Sequence, residues 1–108
     1  MGKLSRRADF LAANGASRAP TPGFVLLIRA RNDGDPAMRL GLTVSKKVGN
    51  AVVRNRMKRR FRELARKILP EAGHEGADHV LIGRQSGIER DFAQLEADFR
   101  RALAKLDR

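Results

Sequence analysis

The sequence predicts a single α+β domain, a sheet of three to four strands covered by helices, and three observations carry that reading. Residues 24–31 and 39–47 alternate apolar and polar side chains with a period of two, the pattern of half-buried strands. Residues 51–68 and 91–106 instead repeat apolar residues at spacings of three and four, which is the pattern of helices with one buried stripe. Finally, 108 residues of which 42% are hydrophobic suffice for one core, whereas two cores would each fall near the size at which small domains need covalent or metal staples. No staple is present: the chain has no cysteine, and its two histidines, His74 and His79, cannot supply the three or four protein ligands that zinc usually takes. Residues 1–108 are therefore read as one domain.

The first element is a short helix over residues 5–14, with Ser5 as its cap, Asn14-Gly15 as a left-handed stop and Phe10, Leu11 and Ala13 as modest apolar surface. Residues 16–23 contain Pro20, Pro22 and Gly23 and make an extended connector or irregular edge strand. The strands at 24–31 and 39–47 are separated by Asn32-Asp33-Gly34-Asp35-Pro36, a dense turn signal, and are expected to pair as an antiparallel hairpin. One face of that hairpin carries Phe24, Leu26 and Ile28 with Leu40, Leu42 and Val44 and belongs to the core. The other carries Val25, Leu27, Arg29 and Arg31 with Arg39, Gly41, Thr43, Ser45 and Lys47, a shallow, positively charged surface.

The helix over residues 51–68 follows, with Asn50 as N-cap and Pro70 as its stop. Val53, Met57, Phe61, Leu64 and Ile68 form its apolar seam. At 100° per residue, Asn55, Arg59, Arg62 and Arg66 lie opposite that seam, with Arg56 on one flank and Arg54 and Lys58 on the other. After a loop containing Gly73, His74 and Gly76, residues 77–84 form a strand whose Val80-Leu81-Ile82 centre implies burial. Asp91 and Gln94 have the spacing of a capping box and open a last helix with Phe92, Leu95, Phe99, Ala102, Leu103 and Leu106 as its stripe.

Charge is concentrated in one place. The net charge is +11, and residues 46–67 hold ten basic side chains (Lys46, Lys47, Arg54, Arg56, Lys58, Arg59, Arg60, Arg62, Arg66, Lys67) against one acid, Glu63. The remaining residues hold 13 basic and 11 acidic side chains and are nearly balanced. Like charges at helical spacing repel unless something neutralises them, so this segment implies a polyanion, and nucleic acid above all.

The same inventory excludes other classes. A nuclease acting alone needs a nucleophile with a base, a carboxylate cluster or a metal site, and none is visible. Asp33 and Asp35 are explained as turn formers, and no phosphate-binding glycine loop or dinucleotide fingerprint occurs. The apolar run at residues 24–28 is far short of the roughly 20 residues of a membrane-spanning helix, and the N-terminus has no signal-type stretch. A soluble, unprocessed, cytoplasmic protein without membrane association is expected. With no Trp or Tyr and five Phe, of which Phe10 alone is not assigned to a core face, backbone contacts should dominate over base reading.

The segment Ser45-Lys46-Lys47-Val48-Gly49-Asn50, running into Arg54-Asn55-Arg56 and Lys58-Arg59, resembles the signature of the bacterial ribonuclease P protein family. The order helix, hairpin, basic helix, strand, helix extends the resemblance over nearly the whole chain. It implies an α/β sandwich like that of some ribosomal proteins, with a mixed sheet and a left-handed βαβ crossover through the basic helix, against the general right-handed rule. It further implies that the protein carries no catalytic group. An RNA subunit, with Mg²⁺ held mainly by that RNA and the substrate, would remove the 5′ leader of precursor tRNA.

The resemblance implies Arg54, Asn55, Arg56, Lys58, Arg59 and Arg62 as RNA-binding residues and Phe10, Val25 and Leu27 along a cleft for the leader; the basic segment adds Lys46, Lys47 and Arg66 to the first set, and the open hairpin face adds Arg29, Thr43 and Ser45 to the second. Asn14 stands where members commonly have a second aromatic, and Leu27 where many have one, so stacking on the leader should be weaker here. The implied partners are the catalytic RNA and precursor tRNA, with no obligate protein partner. The competing reading is a ribosomal or other structural RNA-binding protein without a role in leader removal.

Overall fold

A computed structural model describes residues 2–3 and 17–106; the expected helix at 5–14, with Phe10, lies outside the described residues. The strands are β1 (Gly2–Lys3), β2 (Ser17–Pro20), β3 (Phe24–Ala30), β4 (Arg39–Thr43) and β5 (Ala77–Gly83), and the helices are α1 (Ala51–Ala72) and α2 (Phe92–Leu106). The strands form one mixed sheet in the order β1-β4-β5-β3-β2. It thus has five strands rather than three to four, the fifth being the two-residue β1, and β2 is the irregular edge strand expected from its prolines.

The expected β3–β4 hairpin is not formed. Strand β5 lies between the two, antiparallel to β3 and parallel to β4. Period two reveals which face a side chain occupies but not which strand is its neighbour. The deciding property is burial: residues 77–81 of β5 are buried at every position, on both faces, and a strand apolar on both faces belongs in the middle of a sheet. Crossing two strand spacings takes about 10 Å, well within reach of the segment 31–38. That segment is organised by Arg31, whose guanidinium donates to the Asp33 carboxylate and to the carbonyls of Asp35 and Ala37.

Both helices cover one face of the sheet. Met57, Phe61, Leu64 and Ile68 are buried as the seam requires, joined by Ala65 and Leu69, while Val53 is half-buried. From α2 come Leu95, Phe99, Ala102 and Leu103, and from the sheet Phe24, Leu26, Ile28 and Leu81. Phe24 sits at the centre, edge-on to Phe61 and to Phe99 at centroid distances of 5.5 and 5.7 Å, a favoured aromatic geometry. Where β5 ends beneath α1 the approach is so close that a Cβ on Gly83 would lie 2.5 Å from the Met57 sulfur.

Pro70 does not stop α1 where its sequence position suggests. The helix runs to Ala72, and the Gly73 N–H closes its last turn on the Leu69 carbonyl at 2.8 Å. A proline this near the end forfeits only one backbone bond, to Arg66, because few turns remain beyond it. Among the described residues no helix is long and apolar enough to cross a membrane.

Candidate nucleic-acid interface

The N-terminus of α1 is fixed by its sequence. The Asn50 side chain accepts from the Val53 N–H at 3.0 Å, satisfying one of the free donors of the first turn. Before it, the Val48 N–H bonds the Ser45 carbonyl at 3.1 Å and the Val48 side chain is buried in the core. This anchored turn leaves Ser45, Lys46 and Lys47 exposed directly ahead of the helix.

Along α1 the burial pattern separates two faces. Asn55, Arg56, Arg59, Arg62 and Arg66 are exposed, and Arg54 and Lys58 are half-buried on the flank. Arg54 is partly used within the fold, its Nε donating to the Gly49 carbonyl at 3.2 Å. Lys46, Lys47, Arg56, Lys58, Arg59, Arg62 and Arg66 form no ion pair with any described residue. Val52, 75% exposed at the start of the same ridge, is the one large hydrophobic displayed to solvent among the described residues.

Two cations of the basic segment do other work. Arg60 turns toward the loop before α2 and donates to the carbonyls of Gly87, Ile88 and Arg90. Lys67 pairs with Glu96 of α2 at 2.8 Å. The wheel sets Arg60 beside the seam and Arg59 opposite it, but it does not show what lies across from Arg60, so the loop carbonyls that Arg60 holds could not be read from the sequence.

The sheet face away from the helices is built differently from the hairpin expectation. Across it, Thr43, Ile82 and Val25 form one row, Gly41, Val80 and Leu27 the next, and Arg39, Asp78 and Arg29 the third. The β4 residues are therefore one strand removed from Val25, Leu27 and Arg29, and the floor between them comes from Val80 and Ile82 of β5. Leu27 and Val80 are buried there, 2% exposed each, with Val25 and Ile82 half-buried beside them. Arg18 of β2 borders Leu27 on the other side.

Charge on this face is also more balanced than the sequence suggests. The fully buried Asp78 carboxylate accepts from Arg39 Nε at 2.7 Å, from Arg31 at 3.0 Å and from Arg29 at 3.4 Å. Burial pushes that carboxyl up, but hydrogen bonds from Arg39 and Arg31 and their charges outweigh it and hold it below the usual carboxylate range. Three arginines spent on one aspartate leave Arg29, the most exposed of them, with its weakest share. The surplus of positive charge therefore belongs to α1 and the turn before it.

Asp78 is the functional-face residue that sequence reasoning missed; its only signal was an acid inside an otherwise apolar strand. His79, next in sequence, points into the core and is fully buried. Its Nε2 accepts from the His74 N–H at 3.1 Å, and burial, with the neighbouring His74, lowers its pKa to about 4. Among the described residues no three His, Cys, Asp or Glu side chains are grouped so as to hold a metal ion. What the arrangement can do chemically is bind phosphates along a helix and an extended strand of nucleic acid across a sheet.

Comparison with known proteins gives the same direction. The family model described as Ribonuclease P matches residues 2–107. The Ribonuclease P protein component of Erythrobacter litoralis is 56% identical over 94% of this chain and 83% of its own length. That of Caulobacter vibrioides is 41% identical over 96% and 70%. Among solved structures, the RNase P protein from Thermotoga maritima superimposes with a TM-score of 0.82 at 27% identity, covering 100% of both chains. The Staphylococcus aureus RNase P protein gives 0.81 at 28% identity, over 97% of this chain and 94% of that one. A helix armed with Arg54-Asn55-Arg56 and a mixed sheet matched along almost its entire length place this chain in the ribonuclease P protein family.

Proposed function

We propose that the exposed ridge of α1, with Lys46 and Lys47 before it, binds the catalytic RNA of ribonuclease P, and that the open sheet face receives the 5′ leader of precursor tRNA. Family membership makes the chain the protein subunit of an enzyme of tRNA 5′ processing, a partner of the ribonuclease P RNA; a ribosomal or other structural role is not favoured. The observation that carries the proposal is the contrast on one helix. Met57, Phe61, Leu64 and Ile68 are buried while Arg56, Arg59, Arg62 and Arg66 are exposed without ion pairs to any described residue. Uncompensated cations in a row suit an RNA backbone, whose counterions they displace.

In this reading the leader crosses the rows formed by Thr43, Ile82 and Val25, with Leu27 in the floor and Ser45 and Arg29 at the two ends. The protein supplies binding and no catalytic group, and Mg²⁺ is carried mainly by RNA and substrate. Among the described residues the buried titratable groups support this, since each has partners within the fold: Asp78 in Arg31 and Arg39, Asp98 in Arg90 and Arg101, and His79, through Nε2, in the His74 N–H. The compartment that fits such work is the cytoplasm, and no further protein is required. The test uses RNA-free protein and the reconstituted particle. Protein alone should leave precursor tRNA intact, and adding it should lower the Mg²⁺ that the catalytic RNA needs. Metal-dependent cleavage by RNA-free protein would overturn the division of labour.

A further inference from the structure

A cleft of about 450 Å³ opens between the C-terminal half of α1 and the β1 edge of the sheet, lined by Gly2, Lys3, Leu40, Arg62, Arg66 and Pro70. Its size falls in the range of small-ligand sites, about 300–1,000 Å³. Parallel pairing of β1 with β4 sets Lys3 beside Leu40, in the same cleft lining as Arg62 and Arg66. Among the described residues the lining thus holds three cations and no carboxylate. Three other clefts of the molecule each include acids: Asp98 beside Arg90, Arg101 and Lys105; Asp33, Asp35 and Glu75 around the loop at 31–38; Glu89 and Asp91 beside Arg56. The floor is apolar, formed by the half-buried Leu40 and the exposed ring of Pro70. A proline inside a helix is tolerated here but contributes no backbone hydrogen bond to it, so the fold itself does not call for it.

We infer that this cleft is a nucleotide site: it takes one unpaired nucleotide of the catalytic RNA, with the phosphate between Lys3, Arg62 and Arg66 and the base against Leu40 and Pro70. Charge complementarity selects a polyanion, and the apolar floor selects a single strand, because a base inside a duplex has no free face to bury. The cleft lies at the end of the α1 ridge, so a duplex tracking the ridge would deliver a bulged or looped nucleotide to it. The inference rests on the proposed contact between the ridge and the catalytic RNA and adds a defined subsite to it.

The test attaches a photoreactive group to Pro70→Cys, and separately to Lys105→Cys on α2, and maps cross-links in the particle assembled from full-length protein and catalytic RNA. The Pro70 probe should react with one short unpaired segment of that RNA, Lys3→Glu should suppress the cross-link at least fivefold, and the Lys105 probe should not mark that segment. Cross-links absent, spread over duplex regions, indifferent to Lys3→Glu, or, when precursor tRNA is added to the particle, directed to that tRNA instead would overturn the inference. Affinity of Arg62→Ala for the catalytic RNA separates the two readings. If it weakens while the Pro70 probe finds no unpaired segment, the subsite fails and the ridge stands; if it does not weaken, the ridge contact itself fails.

Discussion

Individual residues of this chain divide by what they face rather than by what they are. Asn50 acts as the cap its position announces because a side-chain acceptor before a helix needs only local geometry. Asp78 and His79, adjacent on β5, instead point to opposite faces, and the partners that hold Asp78 come from β3, the residue after it and β4, far away in sequence. The His79 imidazole titrates near 4 in the fold and near 6.5 in an unfolded chain. Between those values the unfolded state binds more protons, so stability rises with pH across that window. It is fully present above about 6.5 and lost as pH falls toward 4, at up to about 1.4 kcal/mol per pH unit. Urea unfolding at pH 4.5 to 7.5 should show this slope in the wild type and a reduced one in His79→Gln. Equal slopes would mean that His79 is not held neutral.

At the scale of elements, α1 combines a seam, a ridge and a fastening. Arg60→Ala should lower stability by about 1.5–3 kcal/mol, since it removes charge-assisted bonds to the loop carbonyls of Gly87, Ile88 and Arg90. Arg62→Ala should stay within about 0.5 kcal/mol of wild type, and Phe61→Ala should cost about 3–5 kcal/mol because that ring is fully buried. Thermal melts of the three order them; Arg62→Ala as damaging as Phe61→Ala would reverse the assignment of faces. Much of this element was legible in the sequence because helical periodicity is a property of the segment itself. Strand pairing was not. The alternation in β3 and β4 placed Phe24, Leu26, Leu40 and Leu42 on the core side, yet the insertion of β5 depends on the burial of a strand that comes more than thirty residues after β4. The cleft floor at Val80 and Ile82 stayed hidden for the same reason.

At the scale of the whole molecule, two layers divide the work. The helix layer buries its apolar stripes and turns the ridge outward, while the sheet shows its other face, with Thr43, Ile82 and Val25 aligned in one row. Thr43 is exposed in that row, so Thr43→Trp should obstruct a strand lying there. In the assembled particle it should weaken precursor tRNA binding relative to mature tRNA, which lacks the leader, while leaving affinity for the catalytic RNA unchanged. Dissociation constants for both tRNAs give the ratio, and an unchanged ratio would remove the leader from this face.

The electrostatic contact with RNA is proposed to lie on the ridge of α1. Its most direct measurement is the affinity of the protein for the catalytic RNA across salt concentration, for wild type and for a variant with Arg56, Arg59 and Arg62 changed to alanine. These three are exposed and make no ion pair with any described residue, so circular dichroism should find the variant folded. Its affinity at low salt should fall, and the slope of log K against log salt should become shallower by about 0.7–0.9 for each phosphate that the variant no longer neutralises. A folded variant with the wild-type slope and affinity would contradict the account.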